Sequence, residues 1–312
     1  MKEQLIWGRY FIKSKRDIAL NKLHMGKMVK CSYKQPIDLE YDDAQRQIYE
    51  WIQNGDAKLV ARYGSNEAYA TAEAIGVNLH MKKHIRPCVL TSIHRNAGVF
   101  PYGEETALKF GMLMKELSGE VDMIGRWKSI MQDYCINNLC RDDCILTHLG
   151  NLEPYRATLP WTAALRGKRV LVIHPFKETI ERQYQIREKL FENPDVLPEF
   201  ELTVLKAIQT AAYEEDARFS DWFEALDYMY ERAMQCEFDV ALIGCGAYGL
   251  PLGAKLKRCG KTAIHMGGAL QLLFGIIGKR WEGSQLINEY WTRPLPSETP
   301  NRVKEVENGC YW

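Results

Sequence analysis

Gly244, Gly246 and Gly249 follow the apolar run Asp239-Val-Ala-Leu-Ile243, and Gly267 and Gly268 follow a second run, Lys261-Thr-Ala-Ile-His-Met266. Glycine turns at the ends of two buried strands leave backbone N–H groups exposed and let a ligand come close. A helix starting at such a turn adds partial positive charge at its N-terminus, so the arrangement suits phosphate. The spacing Gly244-x-Gly246-x-x-Gly249 fits the dinucleotide fingerprint, with a strand before it and a helix, ended by Gly260, after it. These glycines point to a nucleotide site without selecting the nucleotide.

Polar groups follow other apolar runs. Gly64, Ser65, Asn66 and Glu67 come just after Lys58–Arg62, and Pro175, Phe176, Lys177 and Thr179 come after Arg169–His174. Tyr248 lies within the glycine segment. Lys279, Arg280 and Trp281 precede Glu289, Tyr290 and Trp291. In an open parallel sheet, ligands bind beyond the carboxyl ends of the strands. There Arg62, His174, Lys177, Lys279 and Arg280 would meet an anion. Each has an ordinary alternative: ion pairing for the cations, core packing for His174 and His265, helix capping for Thr179, and a favourable dipole contact for Glu67. Glu289 sits among aromatic residues, where burial against rings would suit a general base. Trp281, Tyr290 and Trp291 are sugar-stacking candidates or packing residues.

The elements that must place these groups alternate. Helices are expected over Asp42–Asn54 with Gly55 as stop, then Asn66–Ile75, Glu104–Leu117, Trp127–Asn137, Thr179–Phe191, Asp221–Cys236 and Ala269–Ile277. Strands are expected over Lys58–Arg62, Pro87–Thr91, Val121–Gly125, Cys144–His148, Arg169–His174 and Glu201–Leu205, besides the two glycine-terminated ones. Apolar strands alternating with helices predict an α/β fold, a mostly parallel sheet with helices on both faces.

The chain has 312 residues, 46% hydrophobic, with a net charge of +1, so bulk charge does not recruit a polyanion and no nucleic-acid partner is expected. The basic run Lys13, Lys15, Arg16, Lys22, Lys27 and Lys30 reads as a solvated or membrane-adjacent extension. No stretch approaches the ~20 apolar residues of a membrane span, and the N-terminus lacks a signal-peptide pattern. A cytoplasmic protein, with peripheral membrane contact allowed, is the expectation. Nine cysteines read as reduced thiols. Cys135, Cys140 and Cys144, with His148 nearby, match no common zinc spacing.

Ala61-Arg-Tyr-Gly-Ser-Asn-Glu67, the glycine segment 243–253, and Gly278-Lys-Arg-Trp-Glu282 with Asn288-Glu-Tyr-Trp291 together resemble the GT-D-fold glycosyltransferases of bacterial surface-glycan synthesis, over about residues 45–294. The resemblance implies a Rossmann-like single domain over 45–294, between a basic N-terminal extension (1–44) and a C-terminal tail (295–312). It implies transfer of a sugar from a nucleotide-sugar donor, typically a UDP-sugar, to a glycan or glycoconjugate acceptor. The family's Arg-x-Gly-Asp-x-Glu motif holds a divalent cation, Mn2+ or Mg2+, at the diphosphate. Here Arg62, Gly64 and Glu67 are kept, but Ser65 stands in the aspartate's place, and a hydroxyl is a poor substitute for a carboxylate. Glu289 matches the position of a catalytic acidic residue in the family. The expected arrangement therefore has the glycine turns holding nucleotide and diphosphate, Lys177 and Arg280 offsetting the leaving charge, and Glu289 taking the acceptor proton with inversion.

Two other readings compete. One is a non-catalytic nucleotide- or glycan-binding relative that has lost its metal pair. The other is a nicotinamide-dependent oxidoreductase, which needs an acidic residue where this chain has His265-Met-Gly-Gly268.

Overall fold

The structure, a computed structural model, describes residues 1–22, 29–214, 216–306 and 308–312. Eight strands, β1 (Asp38–Leu39), β2 (Leu59–Arg62), β3 (Met123–Arg126), β4 (Ile145–His148), β5 (Arg169–His174), β6 (Glu201–Lys206), β7 (Val240–Ile243) and β8 (Thr262–His265), form one sheet in the order β1-β4-β3-β2-β8-β7-β5-β6. Every pairing is parallel.

Ten α-helices accompany them among the described residues: α1 (Lys2–Lys22), α2 (Tyr41–Asn54), α3 (Ser65–Asn78), α4 (Pro87–Ala97), α5 (Glu104–Leu117), α6 (Gln132–Leu139), α7 (Lys177–Tyr184), α8 (Trp222–Met234), α9 (Gly249–Arg258) and α10 (Leu270–Leu273).

A parallel sheet must be covered on both faces, which is why its strands read as apolar runs. Along β7, Ala241 and Ile243 face one core while Val240 and Leu242 face the other. Right-handed crossovers decide which helices cover which face. Helices α3 to α6, α8 and α9 contribute to the first core, and α2, α7 and α10 to the second. The chain leaves β5 for β6 over one face, through α7, and β7 for β8 over the other, through α9. The tips of β5 and β7 are thus a topological switch point, where the connections part and leave a crevice.

The structure differs from the sequence expectations in places. Pro87–Thr91 is the start of helix α4, not a strand. Proline occupies its first turn, where its fixed φ and missing N–H are harmless, and Val89, Ile93 and Ala97 bury one face at a spacing of four. The expected helix at 127–137 forms only as α6, and that at 179–191 ends as α7 and a 3-10 turn, Arg187–Lys189. The expected helix at 269–277 shrinks to α10, and Gly275 turns the chain at φ 62°.

In the segment read as an N-terminal extension, α1 buries Trp7. Lys27 of the basic run lies outside the described residues. Among the described residues no helix is long and apolar enough to cross a membrane. Cys135, Cys140 and Cys144 are buried free thiols, while His148 is exposed and accepts from the Gly150 N–H.

Candidate active site

Strand ends and helix starts meet in a cavity of about 160 Å³ above the switch point. Strand β2 delivers Arg62, and the start of α3 delivers Gly64, Ser65, Asn66 and Glu67. Strand β5 delivers His174. The turn after β7 delivers Gly244, Cys245, Gly246 and Tyr248, and the turn after β8 delivers Gly268. Arg280 closes one side.

Close packing fixes several glycines. A Cβ at Gly64 would fall 1.8 Å from Oε2 of Glu67, so the Glu67 carboxylate lies over the glycine that caps α3. A Cβ at Gly244 would fall 2.5 Å from the His174 ring. Gly267, at φ 64°, leaves room for the Arg62 guanidinium.

Arg62 is the most informative side chain. Its Nη2 donates to the Tyr63 carbonyl at 3.4 Å, and its guanidinium lies 5.9 Å from the Trp127 ring centre. Its Nε is buried and has no hydrogen-bond partner in the protein. Buried donors are nearly always paired, so an orphan on a side chain that lines a cavity points to a ligand or water that reaches it once the side chain adjusts. Arg280 donates from Nη2 to the Cys310 sulfur at 3.2 Å and lies 4.8 Å from the Tyr311 ring centre.

Other expected site residues lie elsewhere. Lys177 lines a separate groove along β6, 3.7 Å from Glu181. The α7 N-terminus is already occupied: Oε1 of Glu298 accepts from the Glu178 N–H at 2.7 Å, and the Thr179 hydroxyl donates to the same carboxylate. That end cannot take a phosphate without expelling a carboxylate. Gly249 packs on His265, where a Cβ would fall 2.2 Å from Nε2. Lys279 is exposed and outside the cavity, its N–H donating to the Trp312 carbonyl. Glu289 is exposed and lines no part of the cavity, so aromatic burial does not act on it. Tyr248, by contrast, lines the cavity from a buried position, its ring stacked on Trp222 at 4.6 Å and its hydroxyl 3.1 Å from that of Thr210.

The sequence reading missed Trp127, Gln209, Thr210, Gln271, Tyr311 and Trp312, all of which line the cavity. Tyr311 and Trp312 arrive because residues 309–312 fold back along Gly278 and Gly268. A Cβ at Gly278 would fall 2.8 Å from the Cys310 carbonyl oxygen, and one at Gly268 would fall 2.2 Å from the Tyr311 ring. Glycines at those two positions were the only local sign of such an approach.

Burial pushes both His174 and His265 down to about 3, with Arg62 adding to the shift at His265. Neither is a cation at neutral pH. His174 uses Nδ1 to accept from the Phe176 N–H at 3.1 Å. The unfolded chain protonates these rings near 6.5 while the folded chain does not. Stability present above pH 6.5 is therefore lost as pH falls through 6.5 toward 3. Thermal unfolding should show a lower Tm at pH 5 than at pH 7, with a smaller drop in His265→Gln. Glu153 and Glu298, whose carboxyls burial raises, act with the opposite sign. A Tm that holds or rises over this interval contradicts the assignment.

The donor set does not fit the divalent cation that the sequence motif suggests. Among the described residues Glu67 is the single carboxylate lining the cavity, accompanied by Ser65 and Asn66 and by two arginines. No group of three or more His, Cys, Asp or Glu able to hold a metal occurs among the described residues. Hard cations need several oxygen ligands, and adjacent guanidinium groups oppose them.

No protein-family model matches the chain, and no curated protein matches it. Two solved structures are similar. One is a selenomethionine-substituted structure of domain of unknown function 1792 (DUF1792), 11% identical with a TM-score of 0.43, covering 85% of this chain and 93% of that one. The other is described as the highly conserved domain of unknown function 1792 with a distinct glycosyltransferase fold. It is 13% identical with a TM-score of 0.40, covering 93% of this chain and 96% of that one. Likenesses of this extent establish neither activity nor ligand.

Proposed function

We propose that the chain is a glycosyltransferase that binds a nucleotide sugar in this cavity and replaces the metal with two arginines. The observation that carries the reading is the buried, unpartnered Nε of Arg62, which lines the cavity beside the start of α3. A diphosphate oxygen satisfies that donor and Arg280 adds positive charge, while the Glu67 carboxylate over Gly64 offsets the partial charge at the start of α3. Glycosyl transfer places negative charge on the departing diphosphate. Donors fixed in advance at that position lower the barrier, because they need no reorganisation as the charge develops.

The cavity is smaller than the ~300 Å³ at which small-molecule pockets usually begin. Tyr311 and Trp312 stand on its wall, so donor entry requires these two rings to shift.

The test is a thermal-shift screen with UDP, GDP, CMP, dTDP and NAD, followed by nucleotide-sugar hydrolysis with manganese or with EDTA. A nucleotide at a hundredfold excess over its Kd should stabilise the fold by about 2.7 kcal/mol. Turnover should be the same within about twofold in manganese and in EDTA, since arginines supply the charge. Turnover abolished by EDTA and restored by manganese contradicts the arginine assignment. Binding by none of the nucleotides removes the reading altogether. Ser65 in the motif's aspartate position supports a second reading, a binding protein without turnover. Nucleotide binding without any hydrolysis or transfer would select it.

A further inference from the structure

A second cavity, about 180 Å³, adjoins the first and shares Arg62, Gly268 and Arg280 with it. Its other walls come from three places. The 3-10 turn after β4 and the residue that ends it supply Leu149, Leu152 and Glu153. The turn after β8 supplies Met266 and Ala269, and the 3-10 turn Lys279–Trp281 supplies Trp281.

This lining has the chemistry of a sugar subsite. Aliphatic groups and an indole give an apolar surface for the C–H face of a ring, and a few charged groups can fix its hydroxyls. Trp281 is half-buried, so part of its surface is open. The Glu153 backbone is held firmly: its N–H donates to the Gly150 carbonyl at 3.2 Å, and its carbonyl accepts from the Tyr41 hydroxyl at 2.9 Å and from Gln45 Nε2 at 3.3 Å. The carboxyl therefore projects from a fixed point. Arg62 and Arg280 border both cavities, so a diphosphate held by them would lie at the junction.

We propose that the second cavity is the acceptor subsite, where a sugar ring lies against Trp281 and the Glu153 carboxylate takes the proton of the attacking hydroxyl; this rests on the donor reading above. In that step the acceptor oxygen bonds to the anomeric carbon. The bond from that carbon to the diphosphate oxygen breaks, its electron pair leaving with the diphosphate at Arg62 and Arg280. The acceptor proton ends on Glu153. Burial holds the Glu153 carboxyl above the usual range, opposed by Arg156, which makes it a stronger base. Glu289, the base expected from sequence, lines neither cavity.

The experiment separates the two sites. UDP binding is measured by titration. Saturation-transfer NMR follows binding of p-nitrophenyl glycosides in saturating UDP. UDP release is followed from UDP-glucose, UDP-galactose and UDP-N-acetylglucosamine, with the glycosides or water as acceptor. The glycoside signal should persist in saturating UDP, vanish in Trp281→Ala and return in Trp281→Phe, with UDP affinity within twofold of the parent throughout. Glu153→Gln should lower kcat about a hundredfold, leave UDP affinity intact and flatten the acid limb of the pH profile. Three outcomes overturn the proposal alone: glycosides displaced by UDP, glycoside binding absent or indifferent to Trp281→Ala, or full turnover in Glu153→Gln. Failure of every nucleotide to bind would remove the donor reading, and the acceptor subsite with it.

Discussion

Replacing Arg62 with alanine is expected to lower nucleotide-sugar turnover by about 100- to 1,000-fold, the cost of losing one preorganised donor to developing negative charge. The same change should leave Tm unchanged or raise it. Arg62 buries an Nε that no protein group satisfies, and its charge disfavours protonation of the adjacent His265. A residue retained for folding would show the reverse pattern, a lower Tm with activity surviving in the folded fraction. Arg62→Lys should recover little, because an ammonium keeps the charge but loses both the planar fork and the stacking beside Trp127. Lys177→Ala is the control. That side chain lies in another groove beside Glu181, and its loss should change turnover less than twofold. Steady-state UDP release and thermal unfolding of the three variants check these outcomes. Full turnover in Arg62→Ala would remove the diphosphate assignment.

The strand tips were legible because buried parallel strands are short, mostly apolar runs, and in β2, β5, β7 and β8 the run gives way to polar or glycine residues at its carboxyl end. That stop placed Arg62, Gly64, Glu67, His174, Gly244, Gly246 and Gly268 at one end of the sheet, and they share the cavity. The departures from expectation came from contacts that sequence spacing does not carry. Lys177 and Thr179 follow β5 as a phosphate-binding helix start should, yet Glu298, far along the chain, already occupies that start. Glu289 is flanked by aromatic residues in sequence, but Trp291 alone turns inward, donating to the Leu190 carbonyl at 3.1 Å, while Glu289 stays in solvent. Pro87–Thr91 shows the ambiguity of short apolar runs. The spacing that makes it a helix appears only when Ile93 and Ala97 are counted with Val89. Glu153 escaped notice because its neighbours in sequence, Leu152 and Pro154, suggest packing. Only the fold brings Met266, Arg280 and Trp281 to it.

Trp7→Ala should be the most destabilising single change in the N-terminal segment, costing about 3–5 kcal/mol, the range for emptying a buried aromatic site. The side chain is 2% exposed, stacks on Phe11 at 4.6 Å and donates from Nε1 to the Ala72 carbonyl at 2.7 Å. It reaches so deep because α3 presents small residues one turn apart on that face, Ala72 and Gly76. A Cβ at Gly76 would fall 2.3 Å from the indole, so Gly76→Ala should also destabilise, by about 1–3 kcal/mol of overpacking. These contacts lie along α3 away from Gly64 and Glu67 at its start, where the cavity is. Stability and binding should therefore separate. Urea unfolding should give a lower midpoint for Trp7→Ala, while UDP titration below that midpoint should give an affinity within about twofold of the parent, as expected for distant, independent sites. A basic extension lying loosely in solvent would leave the midpoint where it was. A shifted midpoint together with lost UDP binding would mean instead that α1 holds α3, and with it Arg62 and Glu67, in register.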